Sequence, residues 1–194
     1  MGIAKLIAKR GADAMGILDQ NEKFWNTVDI PGQPMDLVRF SLFLGLLPFS
    51  GYLFSYTITG KVWSVWPFVQ STLSVTRGLM CAGLQWIFFA TFPLLSSLLL
   101  ESLIDRQKPS PNSSAYLLIC TYAMVPLFIA ALFVGVPFMG RVSAVLGFAA
   151  FLYFLYYGYR IYLKQSLVRS AVLTFASGFL FALIRQMFVF VIGF

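Results

Sequence analysis

Five long apolar segments run through the chain, and short polar stretches separate them. Each segment reaches the ~20 apolar residues that an α-helix needs to cross the hydrocarbon core of a bilayer. The pattern predicts an all-α fold, a polytopic membrane bundle of five transmembrane helices. The predicted spans cover about residues 37–59, 78–104, 114–136, 142–163 and 171–193.

The third and fourth segments form a hairpin, and we expect the rest of the chain to pack around it. Its first arm reads AYLLICTYAMVPLFIAALFVGV and its second reads VSAVLGFAAFLYFLYYGYRIYL. The residues PFMGR make a tight turn between the two arms. Several tyrosines and Arg160 crowd the end of the second arm, which is typical of the headgroup level of a membrane.

Residues 1–36 form a polar, charged segment ahead of the membrane domain, which we place at 37–194. Apolar residues recur in it at helical spacing with basic residues nearby, which predicts a short amphipathic helix. That helix either contacts anionic lipids at the inner membrane face or packs on the chain's own membrane domain. Residues 29–34, DIPGQP, form a turn-rich linker that ends any helix there. The apolar residues of the predicted amphipathic helix are Ile3, Leu6, Ile7, Ala14 and Leu18, with Lys5, Lys9 and Arg10 beside them.

Composition supports a membrane protein and removes several kinds of chemistry. Only 11% of the 194 residues are charged, against roughly 25% in soluble domains, and the mean hydropathy is +0.83. There is no histidine, which removes the commonest general base and metal ligand. Cys81 and Cys120 are isolated, so they make neither a zinc site nor a redox pair. We therefore expect no cofactor, no metal site and no catalytic residue, and hence not an enzyme.

Basic residues predict how the chain is oriented in the membrane. With the N-terminus inside, ten of the 14 Lys and Arg residues and all seven acidic residues fall on the inner side. Lys61, Arg77 and Arg141 fall outside, and Arg185 lies within a span. The positive-inside rule then predicts a cytoplasmic N-terminus and an outside C-terminus, in a bacterial inner membrane. The basic residues flank the spans and form no patch, so we expect no nucleic-acid partner.

Arg185 is the most informative single residue, because an arginine at the centre of a span costs roughly 2.5–3.5 kcal/mol on insertion. At ~1.5 Å per residue, Arg185 lies about 12 Å from the outer end of its span, and Gln85 lies about 10 Å from the outer end of another. A polar cluster of Gln85, Arg185 and the adjacent Gln186 is therefore expected, as a candidate site for a lipid or a partner.

The charge of Arg185 has no carboxylate of this chain at its own depth. Its counter-charge would then be a lipid phosphate, an anionic ligand or a partner subunit. The alternative is that Arg185 snorkels to the outer interface, or bonds to backbone carbonyls exposed at a proline kink.

Pro48, Pro93 and Pro126 fall near the middle of the first, second and third spans. Each lacks a backbone N–H and tends to kink its helix, so the three are candidate structural kinks. Kinks at one depth can open a cavity at the midplane, as they do in transporters. They can equally be plain packing features, because proline is more frequent in membrane helices than in soluble ones.

A group of residues in and between the third and fourth spans carries a recognisable pattern. It consists of the run YAMVPLF from Tyr122 to Phe128, then Ala130, Ala131, Pro137, Tyr153, Tyr156, Gly158 and Tyr159. This pattern resembles the Yip family, the Ypt/Rab-interacting integral membrane proteins, in its bacterial branch. The resemblance implies a cytoplasmic N-terminal segment, five spans, an outside C-terminus and no catalytic residues. The acidic Asp-Leu-Tyr-Gly-Pro type motif of the eukaryotic members is absent here, so the resemblance implies no Rab GTPase partner.

Three kinds of function remain open from the residues. We expect a non-enzymatic scaffold or accessory subunit that acts through protein and lipid contacts. The alternative is a small permease or lipid-handling transporter with a polar site near Gln85 and Arg185. A membrane enzyme ranks last, because no acid/base pair is present. The expected partners are membrane lipids and either other membrane protein subunits or further copies of the chain.

Overall fold

The structure, a computed structural model, describes residues 3–19, 21–28, 34–59, 73–104, 113–136 and 138–192. Within these ranges the chain is helical, as predicted. Two short helices, α1 (Ile3–Asp19) and α2 (Asn21–Thr27), precede the membrane domain. The first two spans are built from α3 (Pro34–Leu44), α4 (Leu46–Phe54), a π-helical turn (Ser55–Thr59) and α5 (Val75–Ile104). The other three are built from α6 (Ser113–Ala123), α7 (Val125–Ala131), α8 (Met139–Tyr157), a second π-helical turn (Gly158–Tyr162) and α9 (Leu167–Ile192).

Among the described residues, five helical stretches are long and apolar enough to cross a membrane, which confirms the predicted fold class. Large apolar side chains remain exposed along them, for example Val172, Phe175 and Phe179 on α9. By helix length and hydropathy, the chain is therefore a multi-pass membrane protein. The stretches are Pro34–Thr59, Val75–Ser102, Ser114–Ala131, Met139–Tyr162 and Leu167–Phe188.

The third span is shorter than its apolar run predicts, since its helix ends at Ala131 and not near residue 136. Beyond it the chain tightens, and the amides of Leu132 and Phe133 bond to carbonyls three residues back. Gly135 then passes Ser55 so closely that a Cβ at Gly135 would lie 3.0 Å from the Ser55 Cα. An apolar run alone does not show where such a turn begins.

The α-helix is interrupted by a turn beside two of the three mid-span prolines. A turn at Gly45 separates α3 from α4 just before Pro48, and a turn at Met124 separates α6 from α7 just before Pro126. A proline offers no N–H to the carbonyl four residues earlier, which weakens the helix at that point. Pro93 lies inside α5, which continues through it.

The third span occupies the centre of the bundle. It is 83% buried inside the protein, whereas the fourth and fifth spans are each 28% buried. Glycines let its neighbours approach closely: Gly51 of α4 packs against the backbone carbonyl of Ala131. Likewise, a Cβ at Gly147 of α8 would lie 2.6 Å from the Cβ of Ala130. Such small residues are how membrane helices gain close contact.

The N-terminal helices pack on the chain's own membrane domain, one of the two alternatives that the sequence left open. Trp25 of α2 is buried beside Ile119 and Gly158. Lys5 and Lys9 are exposed. Two details differ from the simple amphipathic pattern, because Leu18 is exposed and Arg10 is buried. Most of the predicted linker, residues 29–33, lies outside the described residues.

Candidate anion site around Arg185

Arg185 of α9 reaches two other spans through its guanidinium. Its Nη1 donates a hydrogen bond of 2.7 Å to the Gln85 Oε1 on α5. Its Nη2 donates a second bond of 2.7 Å to the Tyr52 hydroxyl on α4. The structure thus brings Arg185 and Gln85 together across 100 residues of sequence. Both of these partners are side chains of neighbouring spans, and snorkelling to the outer interface stays an alternative prediction.

The amide of Gln85 is held on both sides. Only its oxygen can accept from a guanidinium, so the amide nitrogen must point away from Arg185. That nitrogen lies 3.5 Å from the Tyr56 hydroxyl, in the first π-helical turn. Gln85 is only 1% exposed, so these contacts fix the side chain that orients Arg185.

Two aromatic rings complete the surroundings of the guanidinium. Its central carbon lies 5.4 Å from the centroid of the Tyr52 ring and 5.7 Å from that of Phe88. Ring faces attract cations, and the attraction grows where water is excluded. All four of these partners, the two polar groups and the two rings, are neutral. They orient the cation and leave its charge uncancelled.

No acidic side chain in the described part of the chain pairs with Arg185. The ion pairs found there join Arg10 to Asp13 and Arg39 to Asp36. The sequence itself explains why, because it holds no Asp or Glu between residues 37 and 100 or after residue 105.

A cavity of about 440 Å³ opens beside Arg185. Its polar end is formed by Tyr52, Arg185 and Gln186, so the third residue of the predicted cluster lines the same space. This volume falls in the range of small-molecule sites, roughly 300–1,000 Å³. The other walls are apolar or small and come from Phe89, Leu127, Ala130, Ala131, Val134, Gly140, Ala144, Phe148, Phe181 and Ala182.

Sequence reasoning missed Tyr52 as a member of this site. Tyr52 and Tyr56 stand four residues apart, hence on one face of the first span, and their ring centroids are 5.9 Å apart. Two hydroxyls on one face of an apolar helix were the available signal. Interfacial tyrosines are common enough in membrane proteins that the spacing alone does not place them beside Arg185.

Arg10, in the N-terminal segment, is a buried arginine with side-chain partners on another helix. Its Nη1 donates to the Asp13 Oδ2 at 3.2 Å and to the Tyr122 hydroxyl at 3.3 Å. The Tyr122 hydroxyl in turn donates to the same carboxylate oxygen at 3.0 Å, which closes a triangle. Burial lowers the pKa of Arg10, but its contacts with Tyr122 and Asp13 outweigh that effect and leave the pKa raised. This arginine is neutralised within the chain.

The two cysteines are free thiols in separate places. Cys120 is buried, with its sulfur 3.6 Å from the Ser96 hydroxyl, and Cys81 is partly buried. Among the described residues, no three His, Cys, Asp or Glu side chains lie together in a group that could hold a metal ion. Another buried polar contact joins the hydroxyls of Tyr159 and Ser177 at 2.9 Å.

Comparison of the chain with protein-family models, with curated proteins and with solved structures gives no match. The resemblance to the Yip family therefore stays a prediction that rests on the residues quoted for it. Of those residues, Pro137 lies outside the part of the chain that the structure describes.

Proposed function

We propose that this membrane protein binds an anionic amphiphile, a lipid whose phosphate or carboxylate group contacts Arg185 and whose apolar part enters the adjoining cavity. One observation carries the proposal: among the described residues, the guanidinium inside a span is oriented by neutral groups only, beside a cavity of about 440 Å³. A cation in a low-dielectric site is costly unless it is paired, so an anionic ligand would stabilise the protein.

The geometry of the guanidinium suits a phosphate or a carboxylate. Arginine has five N–H donors in a planar fork, and Gln85 and Tyr52 take two of them. The other three have no hydrogen-bond partner in the described part of the chain and can serve a ligand, and arginine binds such anions with paired, charge-assisted bonds. The small residues Ala182, Ala131 and Gly140 keep the rest of the cavity open to an apolar chain.

This proposal develops the lipid-handling alternative, and it involves binding without a chemical reaction. The hypothesis of a scaffold or accessory subunit stays a prediction that the same purified material can test. We also propose the orientation with a cytoplasmic N-terminus in a bacterial inner membrane, which the basic residues support. Arg185 then lies in the outer half of the bilayer, about 11 Å from the end of α9 at ~1.5 Å per residue.

A titration with a simple amphiphile tests the proposal. The purified full chain in a neutral detergent is titrated calorimetrically with dodecyl phosphate, with dodecanol as the uncharged match and inorganic phosphate as the match without a chain. We expect binding of dodecyl phosphate alone, and at least a tenfold loss in Arg185→Gln, which keeps a polar side chain. Arg39→Gln is the control, because Arg39 is an exposed arginine at the start of the first span.

Arg185→Lys provides a second variant that retains the charge. We expect it to bind more weakly than the wild type and more tightly than Arg185→Gln, because an ammonium keeps the attraction but loses the planar fork. Equal affinity of the wild type and Arg185→Gln would contradict the proposal. So would equal binding of dodecanol and dodecyl phosphate. Binding of inorganic phosphate alone would show an anion site that holds no lipid.

A further inference from the structure

A second apolar groove lies on the outside of the bundle, between α8 and α9. Its volume is about 450 Å³. Two of its lining residues, Phe148 and Ala182, also line the Arg185 cavity. The two spaces therefore adjoin, and one ligand can enter both. Further along, the groove is lined by Leu152, Tyr156, Thr174, Phe175, Gly178 and Phe179.

The floor of the groove is made by small residues on α9. Gly178 and Ala182 stand one helical turn apart on the same face. A Cβ at Gly178 would lie 2.5 Å from the Leu152 Cδ2 and 3.7 Å from the Phe148 Cζ, so a larger side chain there would displace Leu152 and obstruct the groove. The Thr174 hydroxyl donates a hydrogen bond of 2.8 Å to the Ser170 carbonyl, so it does not require a polar group of the ligand as its partner.

The groove is long enough for one lipid chain. From Arg185 to Ala171, the lining residue farthest from it on α9, is 14 residues of helix, or about 21 Å at ~1.5 Å per residue. Half of the ~30 Å hydrocarbon core of a bilayer, the depth that one acyl chain covers, is about 15 Å. A ligand with its anionic group on Arg185 and a single long chain directed toward Thr174 would fit this distance.

We infer that the groove between α8 and α9 holds the hydrocarbon chain of the bound amphiphile, so that the site selects a long-chain anionic lipid. The inference rests on the proposed function, which supplies the headgroup contact at Arg185. What it adds is the path of the chain and a dependence of affinity on chain length. Two observations favour this ligand: the charge of Arg185 at one end, and the continuity of the two spaces at Phe148 and Ala182.

Chain-length dependence in groove variants tests the inference. Octyl phosphate and hexadecyl phosphate are titrated into the wild type and into Gly178→Phe. For each ligand, the dissociation constant of the variant is divided by that of the wild type. This ratio cancels the partition of the ligand into the detergent. We expect hexadecyl phosphate to bind about tenfold more weakly to Gly178→Phe and octyl phosphate to bind as in the wild type. Gly83→Phe is the matched control, since nothing lies within 4 Å of a Cβ at Gly83.

Thr174→Phe provides a second blocking variant, one helical turn further along the groove than Gly178, for use where Gly178→Phe does not fold. It should likewise weaken the binding of hexadecyl phosphate and leave the binding of octyl phosphate unchanged. Wild-type affinity for hexadecyl phosphate in the folded groove variants would overturn the inference, and so would an equal loss for both chain lengths. Neither result touches the proposed function, which fails in these titrations if Arg185→Gln binds both ligands as the wild type does.

Discussion

Two arginines, Arg10 and Arg185, are held by side chains of other residues but differ in the chemistry of those partners. Arg10 and Arg185 each bond to a tyrosine hydroxyl of a different helix, Tyr122 and Tyr52 respectively. They differ in the second partner, which is the carboxylate of Asp13 for Arg10 and the amide of Gln85 for Arg185. A carboxylate cancels the charge that it orients, whereas an amide only orients it.

The difference separates the structural role of Arg10 from the binding role proposed for Arg185. Arg10 ties α1 to the central third span, and its charge is satisfied by the chain itself. Arg185 is held with comparable geometry by neutral groups among the described residues, and it lines a cavity large enough for a ligand. This contrast supports the proposal of an anionic ligand at Arg185.

The largest effect should follow from giving Arg185 the kind of partner that Arg10 has. In Gln85→Glu the new carboxylate would pair with Arg185 and repel an anionic ligand. We expect the affinity for dodecyl phosphate to fall about 100-fold, which is roughly 2.7 kcal/mol at ~1.4 kcal/mol per factor of ten. Calorimetric titration in the same neutral detergent measures it.

Gln85→Leu is the control for that substitution, because it removes the amide and leaves the charge of Arg185 in place. Its affinity should fall only a few-fold. Equal losses in Gln85→Glu and Gln85→Leu would show that orientation, and not charge, governs binding. Wild-type affinity in Gln85→Glu would count against any anionic ligand at Arg185.

The converse change gives Arg10 the kind of partner that Arg185 has. Asp13→Asn should weaken the attachment of α1 by about 2 kcal/mol, less than the ~3–5 kcal/mol expected for breaking a fully buried pair, because the Asp13 side chain is 27% exposed. Faster hydrogen exchange of the α1 amides measures the loss. Asp36→Asn is the matched control, since Asp36 forms a pair of the same spacing with the exposed Arg39 and should change little. Equal exchange in both variants would remove the structural role of Arg10.

The smallest effect should come from the tyrosine hydroxyls. Tyr52→Phe removes one of the two bonds that orient Arg185, and we expect dodecyl phosphate to bind about threefold more weakly, or roughly 0.7 kcal/mol. Tyr122→Phe makes the same chemical change beside Arg10 and should leave the affinity unchanged. A similar loss in both variants would mean that it reflects general destabilisation of the bundle.

The sequence predicted the spans and part of the site, for physical reasons that can be stated. A span has a fixed rise per residue, so counting depth placed Arg185 level with Gln85, and the structure joins them. Depth does not give the direction in which a side chain points around its helix, so Tyr52 was missed. Contacts between distant segments are also invisible to local patterns: Arg10 and Tyr122 are 112 residues apart. For the same reason helical spacing placed Leu18 with the apolar face of α1, although it is exposed.

The most direct test of the role of Arg185 is native mass spectrometry of the full chain, purified gently from native membranes as the wild type, Arg185→Gln and Arg39→Gln. We predict one anionic lipid retained per chain in the wild type and in Arg39→Gln, and its loss in Arg185→Gln. The same lipid content in all three proteins would contradict the account. A wild type that carries a stoichiometric protein partner and no anionic lipid would contradict it as well, and would favour an accessory subunit.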